Sequence, residues 1–272
     1  MKQILPITLK KTLHSFTHAC KTHKKLLLLL FVLQVIYIAI ISYINVTYHL
    51  VIAQEMNAIL TPLQTANYDP ELIQAGIPFL QDIAQFYEHY QNLLSSLQKL
   101  VFYQVLVFLV LGVFMWAVTH LLFVRRTVVG LFQHYVQLLL RAVIFIVPTF
   151  FISGVLLNTT FDQLLLGGES LSLVYAALGV FAVGIYFLLV GLAIENGGIW
   201  SSIRAAFVFS IKKAHYIIPT LLAILGAVVG LAYIVYLMLE SPLWLLSIVI
   251  ILFVSVFVLG RVLLIALVRE FT

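Results

Sequence analysis

Six stretches of this chain stay apolar for about 20 residues or more, the length at which an α-helix crosses the hydrocarbon core of a bilayer with its backbone polar groups satisfied internally. They run from Leu26 to Asn45, Leu100 to Val124, Leu138 to Leu157, Leu171 to Ile194, His215 to Leu239 and Leu243 to Val268. The pattern predicts an all-α, polytopic membrane protein with six transmembrane helices. Shorter polar-apolar alternations between the spans predict further helices at the membrane surface and one outside it.

Composition removes the soluble alternative. Hydrophobic residues make up 63% of the 272 residues and charged residues 9%, with a mean hydropathy of +1.14. A soluble domain carries roughly 25% charged residues. The length supports one membrane domain over 1–272 and no large soluble domain. The basic N-terminal segment precedes a span-length apolar run with no small-x-small cleavage site before Asn45, so it reads as retained.

Charge sets the orientation. With the N-terminus inside, fourteen of the fifteen Lys and Arg residues fall on or near the cytoplasmic side and only Lys99 lies outside. Eight of the ten acids fall outside, Glu195 and Glu270 being the others. The expectation is a multi-pass protein of the cell (plasma) membrane with both termini cytoplasmic.

The spans repeat a plan. Val147-Pro148-Thr149 in the third span matches Ile218-Pro219-Thr220 in the fifth, and the segments ending at Glu195 and Glu270 close the fourth and sixth alike. This gives three hairpins, each preceded by a cytoplasmic amphipathic helix. In the first, within residues 1–25, Leu9, Leu13, Phe16 and Cys20 form one face, with Lys10 and Lys11 elsewhere. In the third, Ile199 or Trp200, Ile203, Phe207 and Ile211 form the stripe, beside Arg204, Lys212 and Lys213. Such helices lie in the headgroup layer, so Lys10, Lys11, Arg204, Lys212 and Lys213 are expected to touch lipid headgroups of the anionic cytoplasmic leaflet. The segment Glu195-Asn196-Gly197-Gly198-Ile199-Trp200-Ser201-Ser202-Ile203-Arg204-Ala205-Ala206-Phe207 resembles the acid-Asn-x-Gly entry and basic helix of prokaryotic multi-span proteins related to the membrane domain of glycerophosphodiester phosphodiesterases. The likeness covers roughly the last 80 residues and departs from the family at Ala205, where a Ser is expected. It implies a non-catalytic membrane module.

Residues 46–99, between the first two spans, predict an external helical hairpin that continues both spans as a stalk. Pro62, Pro70 and Pro78 mark its tip, and Asp69-Pro70-Glu71 reads as a helix start that Gly76 ends. Phe79, Ile83, Phe86, Tyr90, Leu93, Leu97 and Leu100 then alternate at 4 and 3 into the second span, facing Tyr48, Ile52, Met56, Ile59 and Leu63 on the other arm. The seam either zips the arms together or docks a protein partner, with Phe79, Ile83, Phe86 and Tyr90 as the candidate surface.

The search for chemistry yields little. No metal-ligand, dinucleotide, P-loop or serine-protease pattern is present, and none of the eight histidines joins a carboxylate within a span. Cys20 is the only cysteine. No enzyme activity, cofactor, metal or nucleic-acid partner is expected. Arg261 is the one cation deep in a span, and it either snorkels to the headgroups or pairs with Glu195. Ala177, Gly184 and Gly191, and Gly226 with Gly230, predict close helix packing, while Gln34 and Gln104 predict hydrogen bonds between helices. The functional expectation is a structural or accessory membrane component that binds a partner protein or lipid. The alternative is a permease or channel subunit for an apolar or amphipathic substrate.

Overall fold

The computed structural model describes residues 4–65, 83–124, 126–165, 171–195 and 198–271. The described residues are helical almost throughout. In chain order the helices are α1 (Ile4–Thr22), α2 (Lys24–Thr65), α3 (Ile83–Val107), a π-helical turn (Phe108–Gly112), α4 (Val113–His120), α5 (Val128–Leu165), α6 (Leu171–Ala193), α7 (Ile199–Lys212), α8 (Ala214–Leu237) and α9 (Leu243–Arg269). Six helical stretches are long and apolar enough to cross a membrane, as the apolar runs require. The last three follow those runs within one or two residues, and Pro242 stands just before the first residue of α9. The first and third run on past them, while the second starts earlier, at Gln85, and ends at His120. Nothing between Val128 and Leu138 breaks a helix, so the surface segment expected before the third span is continuous with α5.

The chain forms two compact units, residues 36–108 and residues 1–35 with 109–272. The first contains most of α2 and all of α3, paired through side chains. His89 Nδ1 lies 2.6 Å from Glu55 Oε2, Gln104 Nε2 donates to Asn45 Oδ1 at 2.7 Å, and Tyr48 meets Tyr103 at 5.9 Å between ring centres. These pairs run in antiparallel order along the two helices. The seam, however, runs one column aside. On α3, Ser96 and Leu100 are buried and Phe86, His89 and Leu93 are half-buried, whereas Tyr90 and Leu97 are exposed. Phe79, with Pro70, Pro78 and Asp69-Pro70-Glu71, lies outside the described residues. Ile83 opens α3, but its side chain lies outside them too.

In the second unit α9 is central, packing against α1, α4, α6 and α8, while α5 and α6 form the most extensive pair. The buried side chains gather at one end of these helices, in α4, the last turns of α6 and the last turns of α9. Large apolar side chains on α8 and the first part of α9 are exposed, as a lipid-facing surface is. Close approach of α5 and α6 depends on Gly184 and Gly191. A Cβ on Gly184 would overlap Thr149, and one on Gly191 would stand 2.8 Å from the Phe145 ring. Gly226 and Gly230 are different. Their positions face open space, so the expected GxxxG packing within the chain is not made, and α8 meets α9 instead where Ile224 covers Gly260.

The two Pro-Thr repeats share their local structure. A proline inside a helix removes an N–H, and in each case the following Thr hydroxyl donates one turn back, Thr149 to Phe145 O at 2.7 Å and Thr220 to Tyr216 O at 2.9 Å. The π-helical turn likewise has a side-chain partner, as Tyr135 donates its hydroxyl to Val110 O at 3.3 Å.

Candidate functional site

The last carbonyls of an α-helix have no acceptor role within the helix, and the aligned peptide dipoles make that end partially negative. In α6 this end is enclosed. Val190, Leu192, Ala193 and Ile194 are all fully buried, so water cannot satisfy their carbonyls. Val190 O accepts from Ile194 N at 3.2 Å, and side chains of two neighbouring helices satisfy Leu192 O and Ile194 O. His120, at the end of α4, donates Nε2–H to Leu192 O at 2.9 Å, and Arg141, from α5, donates Nη1–H to Ile194 O at 2.7 Å. A carbonyl can only accept, which fixes the proton of His120 on Nε2. Both side chains are buried, at 0% and 1% exposure. A hydrogen bond from a charged donor contributes about 1.5–3 kcal/mol, and the negative helix end adds to it.

Glu195 extends this clasp. It accepts from Arg126 Nη2 at 3.1 Å, and Arg269 Nε of α9 lies 3.7 Å from its other oxygen. The Arg269 guanidinium also lies over the Phe123 ring, 5.2 Å from its centre. Arg261, expected either to snorkel or to pair with Glu195, has a different partner. Arg261 donates Nη2–H to Gln34 Oε1 at 2.7 Å, joining α9 to α2, and Gln34 is buried. Arg261 precedes Arg269 by eight residues, roughly 12 Å along the helix, so Arg269 is the cation of α9 within reach of Glu195.

His134 completes the cluster. His134, Leu138, Arg141 and Phe145 recur at 4, 3 and 4 along one face of α5, and all four are buried. The His134 ring stands perpendicular to that of His120, with 4.9 Å between ring centres. His120, His134, Arg126 and Arg141 were not among the residues that apolar patterning singles out. The spacing of His134 and Arg141, one heptad apart on the apolar face of a helix, was the available signal.

The remaining candidates lie on surfaces. Lys10 and Lys11 on α1 are exposed, as is Leu13, while Thr12 and Ala19 are buried and Ser15 donates to Glu270 at 2.9 Å. Burial raises the Cys20 thiol above its ordinary range, which keeps it a thiol rather than a reactive thiolate. On α7, Ser202, Ile203, Ala206, Phe209 and Ser210 are buried against the bundle. Its other side exposes Trp200, Phe207 and Ile211, with Arg204 and Lys212 exposed beside them. Lys213 turns back over the Phe271 ring at 4.7 Å. Phe86 is half-buried, and Tyr90 is 37% exposed beside the more open Tyr87.

Chemically the cluster at the end of α6 is built to hold helices. Its one described carboxylate is engaged by guanidinium groups, and Nε2 of His120 is committed to a backbone carbonyl. No protein-family model matches the chain, and no curated protein or solved structure matches it.

Proposed function

We propose that the protein is a non-enzymatic accessory component of the plasma membrane that organises anionic lipid, and a protein partner, around a rigid helical bundle. The observation that carries this reading is the two-sidedness of α7. One face is buried in the bundle, while the other presents Trp200, Phe207 and Ile211 beside Arg204 and Lys212. Aromatic and aliphatic side chains flanked by cations suit the boundary between acyl chains and headgroups, where each cation adds about 1 kcal/mol on an anionic leaflet. Lys10, Lys11 and Leu13 give α1 a similar outer face, and Lys213 stands at the end of α7.

In this reading the spans form three hairpins with both termini cytoplasmic, as the distribution of Lys and Arg favours. The paired arms of α2 and α3 form an external stalk, on which Phe86 and Tyr90 meet the partner. The likeness of residues 195–207 to the membrane modules of glycerophosphodiester phosphodiesterases supports a module without chemistry of its own.

The test is to solubilise the full chain gently from its own membrane and quantify the lipids and proteins that accompany it. Anionic phospholipid is expected to be enriched on the unaltered protein and reduced on an Arg204→Gln/Lys212→Gln variant. A partner is expected to be lost when Phe86 and Tyr90 become Ala. Unchanged lipid in the first variant, with no partner on the unaltered chain, would overturn the proposal.

A further inference from the structure

Among the described residues, His134 is 1% exposed and neither of its ring nitrogens has a hydrogen-bond partner. His120, whose ring stands perpendicular at 4.9 Å, uses Nε2 on Leu192 O and has no partner for Nδ1 among them. Buried polar groups are rarely left unpaired, because desolvation without a partner is costly. The unanswered groups can be counted. With its proton on Nε2, a neutral His120 offers a lone pair at Nδ1. A neutral His134 offers one N–H and one lone pair in either tautomer. The pair thus presents one donor and two acceptors, and the rings do not bond to each other.

This inventory selects the ligand. A metal cation would use the lone pairs, but the positive fields of Arg126 and Arg141 reach both rings and oppose it. An anion suits those fields yet meets the lone pair of His120. A neutral molecule carrying both donors and acceptors answers the N–H and one of the lone pairs, and water is the smallest such molecule. We propose that His120 and His134 hold a single structural water. It accepts the N–H of His134 and donates to Nδ1 of His120, which in turn donates from Nε2 to Leu192 O. The resulting chain of hydrogen bonds runs in one direction, so that each bond polarises the next. It ties α5 to α4 and α4 to the end of α6.

The test uses the full chain in lipid nanodiscs, labelled with nitrogen-15 at histidine, by nuclear magnetic resonance. The expected result is an Nε2–H tautomer for His120, an Nδ1 resonance displaced upfield from that of a bare lone pair, and a cross-peak between the His134 ring N–H and a water proton. A bare Nδ1 resonance, a metal-bound pattern, or displacement that follows exchange of chloride for gluconate would each overturn the proposal. His134→Phe and His134→Leu give an independent reading. If the water is held, both lower Tm by several degrees. If the rings are dry, removing an unpaired polar ring raises Tm in at least one of them.

Discussion

The α5–α6 and α8–α9 pairs are written with the same devices and use them differently. Each pair has a Pro-Thr step in its first helix, at Pro148-Thr149 and Pro219-Thr220, and each carries glycines spaced for close approach. In the first pair, Thr149 and Phe145 fill the space over Gly184 and Gly191, and the end of α6 is locked by His120, Arg141 and the partners of Glu195. In the second, Gly226 and Gly230 face open space, and Ile217 is the one buried side chain of α8. A glycine therefore stabilises a helix pair only where the opposite helix supplies bulk to cover it. The α5–α6 pair has both that bulk and a polar lock, whereas α8 keeps a broad exposed apolar face.

The largest break in this comparison is expected from Arg141→Leu. The change removes the donor to Ile194 O and leaves a buried carbonyl to be satisfied, so thermal unfolding in nanodiscs should show a loss of about 3 kcal/mol. Gly191→Ala comes next. Its new Cβ meets the Phe145 ring, and overpacking of this kind costs about 1–3 kcal/mol. The matching Gly230→Ala meets nothing, and its helix propensity favours a gain of up to about 1 kcal/mol, so the two alanines should shift Tm in opposite directions. Glu195→Gln is the mildest. The pair it breaks is partly exposed on the Arg126 side, and the expected loss is roughly 1 kcal/mol, smaller at high salt.

The membrane-spanning stretches were legible because lipid imposes a length and an apolar composition that little else in a chain imitates. Where a proline stands at a span's edge, as Pro242 does before α9, its boundary was legible too. Where polar residues such as Asn45, Thr47 and His49 followed without a breaker, the helix continued, and the apolar run marked only part of it. The polar contacts were harder to read. Apolar counting along α3 finds Tyr90 and Leu97 but passes over His89 and Ser96, which take the inward column because Glu55 answers His89 and a small hydroxyl lets the arms approach. The cluster at the end of α6 escaped for a related reason. Its demand comes from backbone carbonyls that exist in every helix, and only the fold reveals that Leu192 O and Ile194 O are sealed from water. Gln34 and Gln104 were readable because an amide in an apolar helix needs a partner from another helix, and each has one.

His120 and Arg141 close the end of α6 as one unit, and a double-mutant cycle measures this directly. His120→Leu, Arg141→Leu and the double variant would be unfolded thermally as full chains in the same nanodiscs. If the two side chains cap neighbouring carbonyls, two residues apart, as one clasp, the double loss should fall short of the summed single losses by at least about 0.5 kcal/mol. Losses that add, or an Arg141→Leu variant as stable as the unaltered chain, would contradict it.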